Sequence, residues 1–568
     1  MSFRWTYAQP VSGEAVSVLQ NQLGVSETIA RLLVIRGVDS FEKAKCFFRP
    51  KTDLLHDPYL MKDMDRGAAR LARAIRDQEK VLVYGDYDVD GTSATAIVFT
   101  FLKQFGVDVS YFIPHRFKDG YGISIDGIKK AMELDATVVV SVDCGITAID
   151  EAKFAKEQNI DLIICDHHTA GDETPDAYAV LNPKQPDCNY PFDGLSGAGV
   201  AFKLVQAVIT ELGLPASTSD VYLDLVALSI ASDIVPIVDE NRVLMRLGLR
   251  QLNESPRVGL KSLMELIKLN IGSVSTTQIV FSIGPRINAA GRMGDAGIAV
   301  ELMTSEDYES AAKYARELEA INVRRRNTDS LTMERALGII ESDLKMEETP
   351  AVILHDPDWH LGVIGIVASR IVDLYCRPTI MLSSVDGMLK GSARSIKGFN
   401  IYDALKKCED HLVQFGGHEF AAGLTLTEDQ LKPFIKRFKE IADCDLCEED
   451  FKPELMIDAD LDLEFIDVKF WKLLSQFEPF GPDNMRPVFV SKNLKVVGTP
   501  TIVGNGHLKM RVAQNGSGMF EAIGFNMHEY LPKVRACANG GLDMAYVLEE
   551  NTWNNKTTLQ MRIKDISV

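Results

Sequence analysis

Three carboxylates at alternate positions, Asp86, Asp88 and Asp90, follow the apolar run Val81 to Tyr84 and precede Gly91. In a strand-to-helix turn, alternate residues can aim their side chains at one point, and clustered carboxylate oxygens are hard ligands suited to Mg²⁺ or Mn²⁺. A polar turn that only caps the next helix would use the same residue types. Three further segments weigh against that plainer reading. Asp143 ends the run Val138 to Val142, Asp166, His167 and His168 end the run Leu162 to Cys165, and Asp233 follows the apolar stretch Leu225 to Ile230. Carboxylates gathered from several segments would repel one another without a cation. Two divalent ions with one shared carboxylate would relieve that repulsion and create a site for in-line displacement at phosphorus.

The elements that must position these residues can be read from periodicity. Between about Lys80 and Leu181, the β-rich runs Val81 to Tyr84, Val107 to Phe112, Val138 to Val142 and Leu162 to Cys165 alternate with helix candidates near Thr92 to Gln104, Ser124 to Leu134 and Ala148 to Glu157. Such alternation predicts a mainly parallel sheet with helices on both faces and a ligand site beyond the carboxyl ends of the strands. Residues 1–79 read as a helical N-terminal segment, 80–272 as the catalytic domain with a helical extension, and 273–349 as a loop and a long connecting helix over Ser305 to Ser342. A second α/β domain spans 350–446. After the acidic stretch Cys447 to Asp450, residues 451–568 carry short strands separated by Gly and Asn turns, the pattern of a small OB-like β-barrel. Barrels of that type often bind single strands.

Composition bounds the function. A chain of 568 residues needs several cores, and its 46% hydrophobic and 25% charged residues are ordinary for globular domains. No apolar run approaches the ~20 residues of a membrane span, and the start lacks the features of an export signal, so no membrane contact and a cytoplasmic location are expected. Nine cysteines are too sparse for a disulfide framework; Cys444 and Cys447 have the spacing of half a zinc site without the other half. The net charge of −19 argues against indiscriminate DNA binding. Local clusters at Arg242, Arg246, Arg250 and Arg257, and at Arg324, Arg325 and Arg326, suit either a basic groove or solvated helix faces. Gly194, Gly197 and Gly199 read as glycines that let a helix start pack closely rather than as a dinucleotide loop, and the absence of GxxxxGK[ST] removes an ATP-driven motor.

The segments GDYDVDG at 85–91, SVDCG at 141–145, DHH at 166–168 and ASD at 231–233 resemble, in order and spacing, the four motifs of the DHH phosphoesterases. Further stretches are similar to the single-strand-specific DNA exonucleases of that superfamily: IPHRFKDGYG at 113–122, LSGAGVAFKL at 195–204 and GPRINAAGRMGDA at 284–296. WHLGVIGIVASRI at 359–371, KGSARS at 390–395 and FGGHEFAAG at 415–423 resemble the accompanying DHHA1 domain, and FGPDNMRPVF at 480–489 opens the OB-like module. The resemblance implies an α/β protein: a DHH parallel-sheet domain and a DHHA1 domain joined by a long helix, with a C-terminal OB-like barrel.

It also implies 5′-to-3′ hydrolysis of single-stranded DNA by a mechanism using two Mn²⁺ or Mg²⁺ ions, in DNA repair and recombination. By that resemblance Asp88 and Asp143 hold one ion, and Asp90, Asp143, His167 and Asp233 hold the other. Asp86 and Asp166 orient these ligands, and His168 serves either as a general acid or as a support. Arg116, Arg370, Arg394 and His418, in loop-like stretches beside small residues, together with Ser392 and Gly417, are implied contacts to phosphate. So are Arg286, Asn288 and Arg292 in a Gly-bounded loop. Each isolated arginine could instead form a surface ion pair. The implied partners are single-stranded DNA, a single-strand-binding protein and a RecQ-type helicase, with the chain working as a monomer. Two rivals stand beside this reading. An enzyme of the same superfamily acting on a small substrate would have no use for the β-rich module after Phe451, and a noncatalytic scaffold should have lost metal ligands, of which none is missing.

Overall fold

Runs rich in Val, Ile and Leu form strands because branched side chains suit a pleat buried on both faces. In a computed structural model of the chain, which describes residues 3–120, 122–514, 516–537, 541–553 and 556–567, five such runs build an all-parallel sheet. Its spatial order is Val109–Phe112, Val81–Tyr84, Val138–Val142, Asp161–Cys165, Ala179–Leu181. Alternate residues enter different cores: Val83, Val140 and Ile163 pack on one face, and Leu82, Val139 and Leu162 on the other. The strand Val81–Tyr84 lies between Val109–Phe112 and Val138–Val142, so the next two strands of the chain flank it on opposite sides. A crevice opens at the carboxyl ends there, and Asp86 to Asp90 and Asp143 leave those ends. Ala179–Leu181, too short to stand out in the sequence, completes the sheet edge.

The chain divides into two compact units. One comprises 38–323 with 475–486, and the other 1–37, 324–474 and 487–568. The helix Tyr308–Asp343 contains one of the passages between them. In the second unit, Val352–His355 pairs in parallel with Thr379–Val385, and the antiparallel strands Met388–Arg394, Ala421–Leu426 and Gln414–His418 extend that sheet. Near the C-terminus, seven strands from Ala459–Asp460 to Lys556–Ser567 form a further sheet. It closes into a ring where Lys495 pairs with Ala513 and Val496 with Val512.

Three expectations need correction. The N-terminal segment is not purely helical: Arg4–Tyr7 is a strand in parallel register with Glu454–Ile457, and Trp5 Nε1 donates to Asp565 at 2.8 Å. The paired strand lies about 450 residues away, where no local pattern reports it. Residues 284–293 form a helix, Gly284–Met293, not a loop; Pro285 is tolerated in its first turn. The glycine at 291 is there because a Cβ would come within 2.4 Å of the Tyr87 carbonyl oxygen. Finally, Arg370 lies on the helix Leu361–Tyr375, and Arg394 and His418 end strands; of that set only Arg116 is outside a helix or strand. Among the described residues no helix is long and apolar enough to cross a membrane. Cys444 and Cys447 are exposed free thiols and join no metal-binding group there.

Candidate metal centre

Three motif segments leave the carboxyl ends of the sheet, and the fourth, with Asp233, caps the end of the helix Leu223–Ser232. Asp88 caps the helix Val89–Lys103, accepting from Gly91 N–H at 3.0 Å. A Cβ on Gly91 would lie 2.6 Å from Asp86 Cα, so glycine lets the turn fold back on itself. Asp90 is held by three donors: the N–H groups of Gly197 and Ala198 and the Ser229 hydroxyl, each at 2.7 Å. The first two open the helix Gly197–Glu211, where backbone N–H groups favour an anion. Asp143 adopts φ +62°, a left-handed conformation that Asp tolerates better than most residues, and packs against Gly197, where a Cβ would be 2.5 Å from Asp143 Oδ1.

His167 completes the cluster. Its Nε2 lies 3.2 Å from Asp143 Oδ1, 3.5 Å from Asp233 Oδ2 and 3.6 Å from Asp90 Oδ2. Three overlapping groups can each converge on one cation: Asp86, Asp88 and Asp143; Asp90, His167 and Asp233; and Asp143, His167 and His168. The first brings Asp86 closer to the ligand set than its orienting role in the sequence reading required.

Two observations fit these residues to divalent cations. Asp86 Oδ1, Asp143 Oδ1 and both ring nitrogens of His167 are buried and make no hydrogen bond among the described residues, a costly arrangement unless another electrophile occupies the point they share. In addition, burial and then mutual repulsion raise the carboxyls. Asp86, Asp88 and Asp143 lie above the usual range, and Asp233 is pushed up to about 8 by burial and by Asp90 and Asp88. Burial lowers His167, favouring the neutral imidazole a metal needs.

Asp166 behaves differently. Burial opposes its ionisation but is outweighed by the His168 ring and by the N–H groups of Ile146 and His168, which hold it at about 2. It accepts from Ile146 N–H at 2.8 Å, His167 N–H at 2.7 Å and His168 N–H at 3.1 Å, and faces His168 Nδ1 at 2.7 Å. It therefore orients both histidines. For His168, the hydrogen bond to Asp166 and the charges of Asp166, Asp233 and Asp90 overcome burial and raise it to about 9.

The remaining predicted contacts separate. Arg116 lies 5.0 Å over the Tyr87 ring, and both it and Arg292 act electrostatically on that phenol, beside the Asp86 turn. Arg286 instead pairs with Glu319 and donates to the Ser282 carbonyl at 2.6 Å. Its neighbour Asn288 accepts from Val89 N–H at 3.1 Å, pinning the start of the helix that carries Asp90. In the other unit, Arg394 donates to Ser392 Oγ at 2.9 Å, and Arg370 to Asp329 at 3.1 Å. Arg394 is paired with Ala421, and Ala421 with His418, so Arg394 and His418 share one sheet face. Gly417 has φ +146°, and a Cβ there would meet the Ala421 carbonyl oxygen at 2.4 Å. The sequence reading missed Ser229 and the N–H groups of Gly197 and Ala198; SGAG at 196–199 was the available signal, and it was read only as packing.

Comparison with known proteins identifies the domains. Residues 80–230 match the N-terminal domain of the DHH family, 348–443 the DHHA1 domain and 457–565 the RecJ OB domain. The single-stranded-DNA-specific exonuclease RecJ of Bacillus subtilis is 38% identical over all of this chain and 71% of its own length. RecJ of Thermus thermophilus in complex with Mn²⁺ superposes with a TM-score of 0.85 at 28% identity, covering 100% of this chain and 79% of that one. The same protein in complex with Mg²⁺ gives 0.77 at 27% identity, over 99% and 78%. With its motifs, its domains and full-length similarity all concordant, the chain belongs to the RecJ family of DHH proteins.

Proposed function

We propose that the chain is a divalent-metal-dependent exonuclease that hydrolyses phosphodiester bonds of single-stranded DNA from the 5′ end. The observation that carries this is the convergence of buried carboxylate and imidazole atoms without hydrogen-bond partners among the described residues, on a chain whose relatives are named for single-stranded-DNA-specific exonuclease activity. Asp88 and Asp143, supported by Asp86, would hold one Mn²⁺ or Mg²⁺, and Asp90, Asp143, His167 and Asp233 the other. Such a pair of ions, when bound, supplies a nucleophilic hydroxide near neutral pH and neutralises charge at phosphorus.

The chain's own groups do the rest. Asp166 anchors His168 through Nδ1 and keeps it protonated, making Nε2–H a second donor suited to an anionic oxygen. Arg116 and Arg292 provide positive charge beside the Asp86 turn. Ser392, Arg394 and His418, on one side of the DHHA1 sheet, are suited to a phosphate, and Arg394 to the extra charge of a terminal one. The closed barrel of residues 457–565 suits stacking with unpaired bases. The reading extends to work as a cytoplasmic monomer in repair and recombination, alongside a single-strand-binding protein and a RecQ-type helicase.

The test is hydrolysis of 5′-labelled and 3′-labelled single strands and duplexes, with and without Mn²⁺, by the wild type and by Asp143→Ala. Metal-dependent loss of nucleotides from the 5′ end of single strands is expected, falling below about a hundredth in the variant. Cleavage without metal, or an active Asp143→Ala protein, would refute the assignment.

A further inference from the structure

A cavity of about 510 Å³ opens in the unit that carries the metal centre, and none of its lining residues belongs to that centre. Four arginines line it: Arg49, Arg246, Arg250 and Arg486. Among the residues that line the cavity, one carboxylate, Glu478, stands against them. Arg486 donates to it at 3.1 Å, and Arg246 donates to its backbone carbonyl at 2.7 Å. The side chains of Arg49 and Arg250 make no hydrogen bond or ion pair among the described residues, and the charge of Arg250 acts on Asp220.

Four guanidinium groups around one cavity repel one another, in a protein whose net charge is −19. Guanidinium forks match phosphate oxygens in pairs. The other walls differ in character. Phe48 and Phe480 also line it, with the Arg486 guanidinium 4.8 Å from the centre of the Phe480 ring, and Thr276 Oγ1 is buried without a hydrogen-bond partner among the described residues. The volume falls within the range of pockets that take a small organic ligand, and exceeds what an inorganic ion needs.

We propose that this cavity binds the polyphosphate of a nucleoside di- or triphosphate, with the arginines on the phosphates and the two phenylalanines beside the base. It is a second nucleotide site, separate from the metals and independent of hydrolysis. Phosphates of a bound DNA strand share the same chemistry, so the test must separate the two sources.

The full-length protein is titrated calorimetrically in EDTA with dATP, and separately with a ten-nucleotide single strand. Wild type is compared with Arg49→Glu/Arg250→Glu and with the milder Arg49→Gln/Arg250→Gln, each checked by circular dichroism. Both positions are exposed, so the fold should tolerate the changes. The proposal expects saturable dATP binding that weakens about tenfold or more in both variants, with Mn²⁺-dependent hydrolysis of trinucleotides unchanged. Equal dATP affinity in wild type and variants, or no dATP binding at all, overturns it. A loss confined to the ten-nucleotide strand also overturns it, and reassigns the cavity to the DNA backbone.

Discussion

At the residue scale, the metal centre is an arrangement that protons and cations compete for. Asp233 ionises at about 8 in the folded chain because burial and the neighbouring Asp90 and Asp88 oppose its charge, against about 4 for a solvated aspartate. A carboxyl raised in this way binds more protons folded than unfolded. Its contribution to stability is therefore complete below about pH 4 and is lost as pH rises through about 8. The metal-stripped protein should lose thermal stability between about pH 5 and 8, whereas Mn²⁺ should restore it most at the upper end. Apparent Mn²⁺ affinity should rise up to about tenfold per pH unit for each proton released. Denaturation scans in EDTA and in Mn²⁺ across that window check both; a metal-stripped protein that gains stability with rising pH would contradict them. A different test applies to Arg394, bonded to Ser392 on the DHHA1 sheet. If it grips a terminal phosphate, Arg394→Ala should slow cleavage of 5′-phosphorylated strands by about 10-fold or more while changing 5′-hydroxyl strands little. Equal slowing on both would make it an ordinary backbone contact. The ligand types were legible in the sequence because each ends or follows an apolar run. The paired state of Arg286 was not, since Glu319 lies 33 residues further on and nothing local announces the pair.

At the element scale, the site depends on how closely a helix start approaches a strand end. The helix Gly197–Glu211 presents two N–H groups to Asp90 and a bare Cα to Asp143. Alanine favours helices more than glycine does, so Gly197→Ala should leave the helix intact while its methyl displaces the Asp143 carboxylate. Mn²⁺ affinity should fall about 10–100-fold, with circular dichroism unchanged. Gly199→Ala is the control, since a Cβ there would come no closer than 3.2 Å to Leu195 and 3.4 Å to Ser196 Oγ, and would touch no carboxylate of the cluster. Comparable metal affinity in Gly197→Ala and wild type would show that Asp143 moves freely, and the close approach would lose its meaning. The strands and helices of the parallel sheet were readable because their periodicities are strong and uninterrupted. Ala179–Leu181 escaped notice because three residues carry no period. The helix Gly284–Met293 reads as a loop because its glycines, Gly291 packed against Tyr87 and Gly284 against Ser232, look like turn residues in one dimension.

At the scale of the whole molecule, the chain passes between its two units at 37–38, 323–324, 474–475 and 486–487. The short segment 475–486 lies between long stretches of one unit yet packs with the other. A domain boundary sought in composition cannot find such an insertion, since the segment is neither unusually polar nor repetitive. Arg242 explains how it is retained. The sequence made this residue part of a possible basic groove, but it is buried, with its guanidinium 3.6 Å over the Phe47 ring. It donates to the carbonyls of Phe477 at 2.9 Å, Gln476 and Glu478 at 3.2 Å and Phe47 at 3.0 Å. Asn484 adds donations to the carbonyls of Phe477 and Pro479, both at 2.8 Å. A planar five-donor fork is the one side chain that can satisfy so many converging carbonyls at once. Arg242→Met keeps much of the bulk but leaves several buried acceptors unpaired, a change expected to cost on the order of 3 kcal/mol or more. The variant should unfold at a lower temperature and be cut by protease within 475–486 before the sheet around the metal centre is reached. Mn²⁺ binding at low temperature should persist, since none of the ligands touches Arg242. Unchanged melting together with unchanged proteolysis would mean that the carbonyls find other donors, and the segment would owe its place to the packing of Phe477 against Phe47 and Phe48 instead.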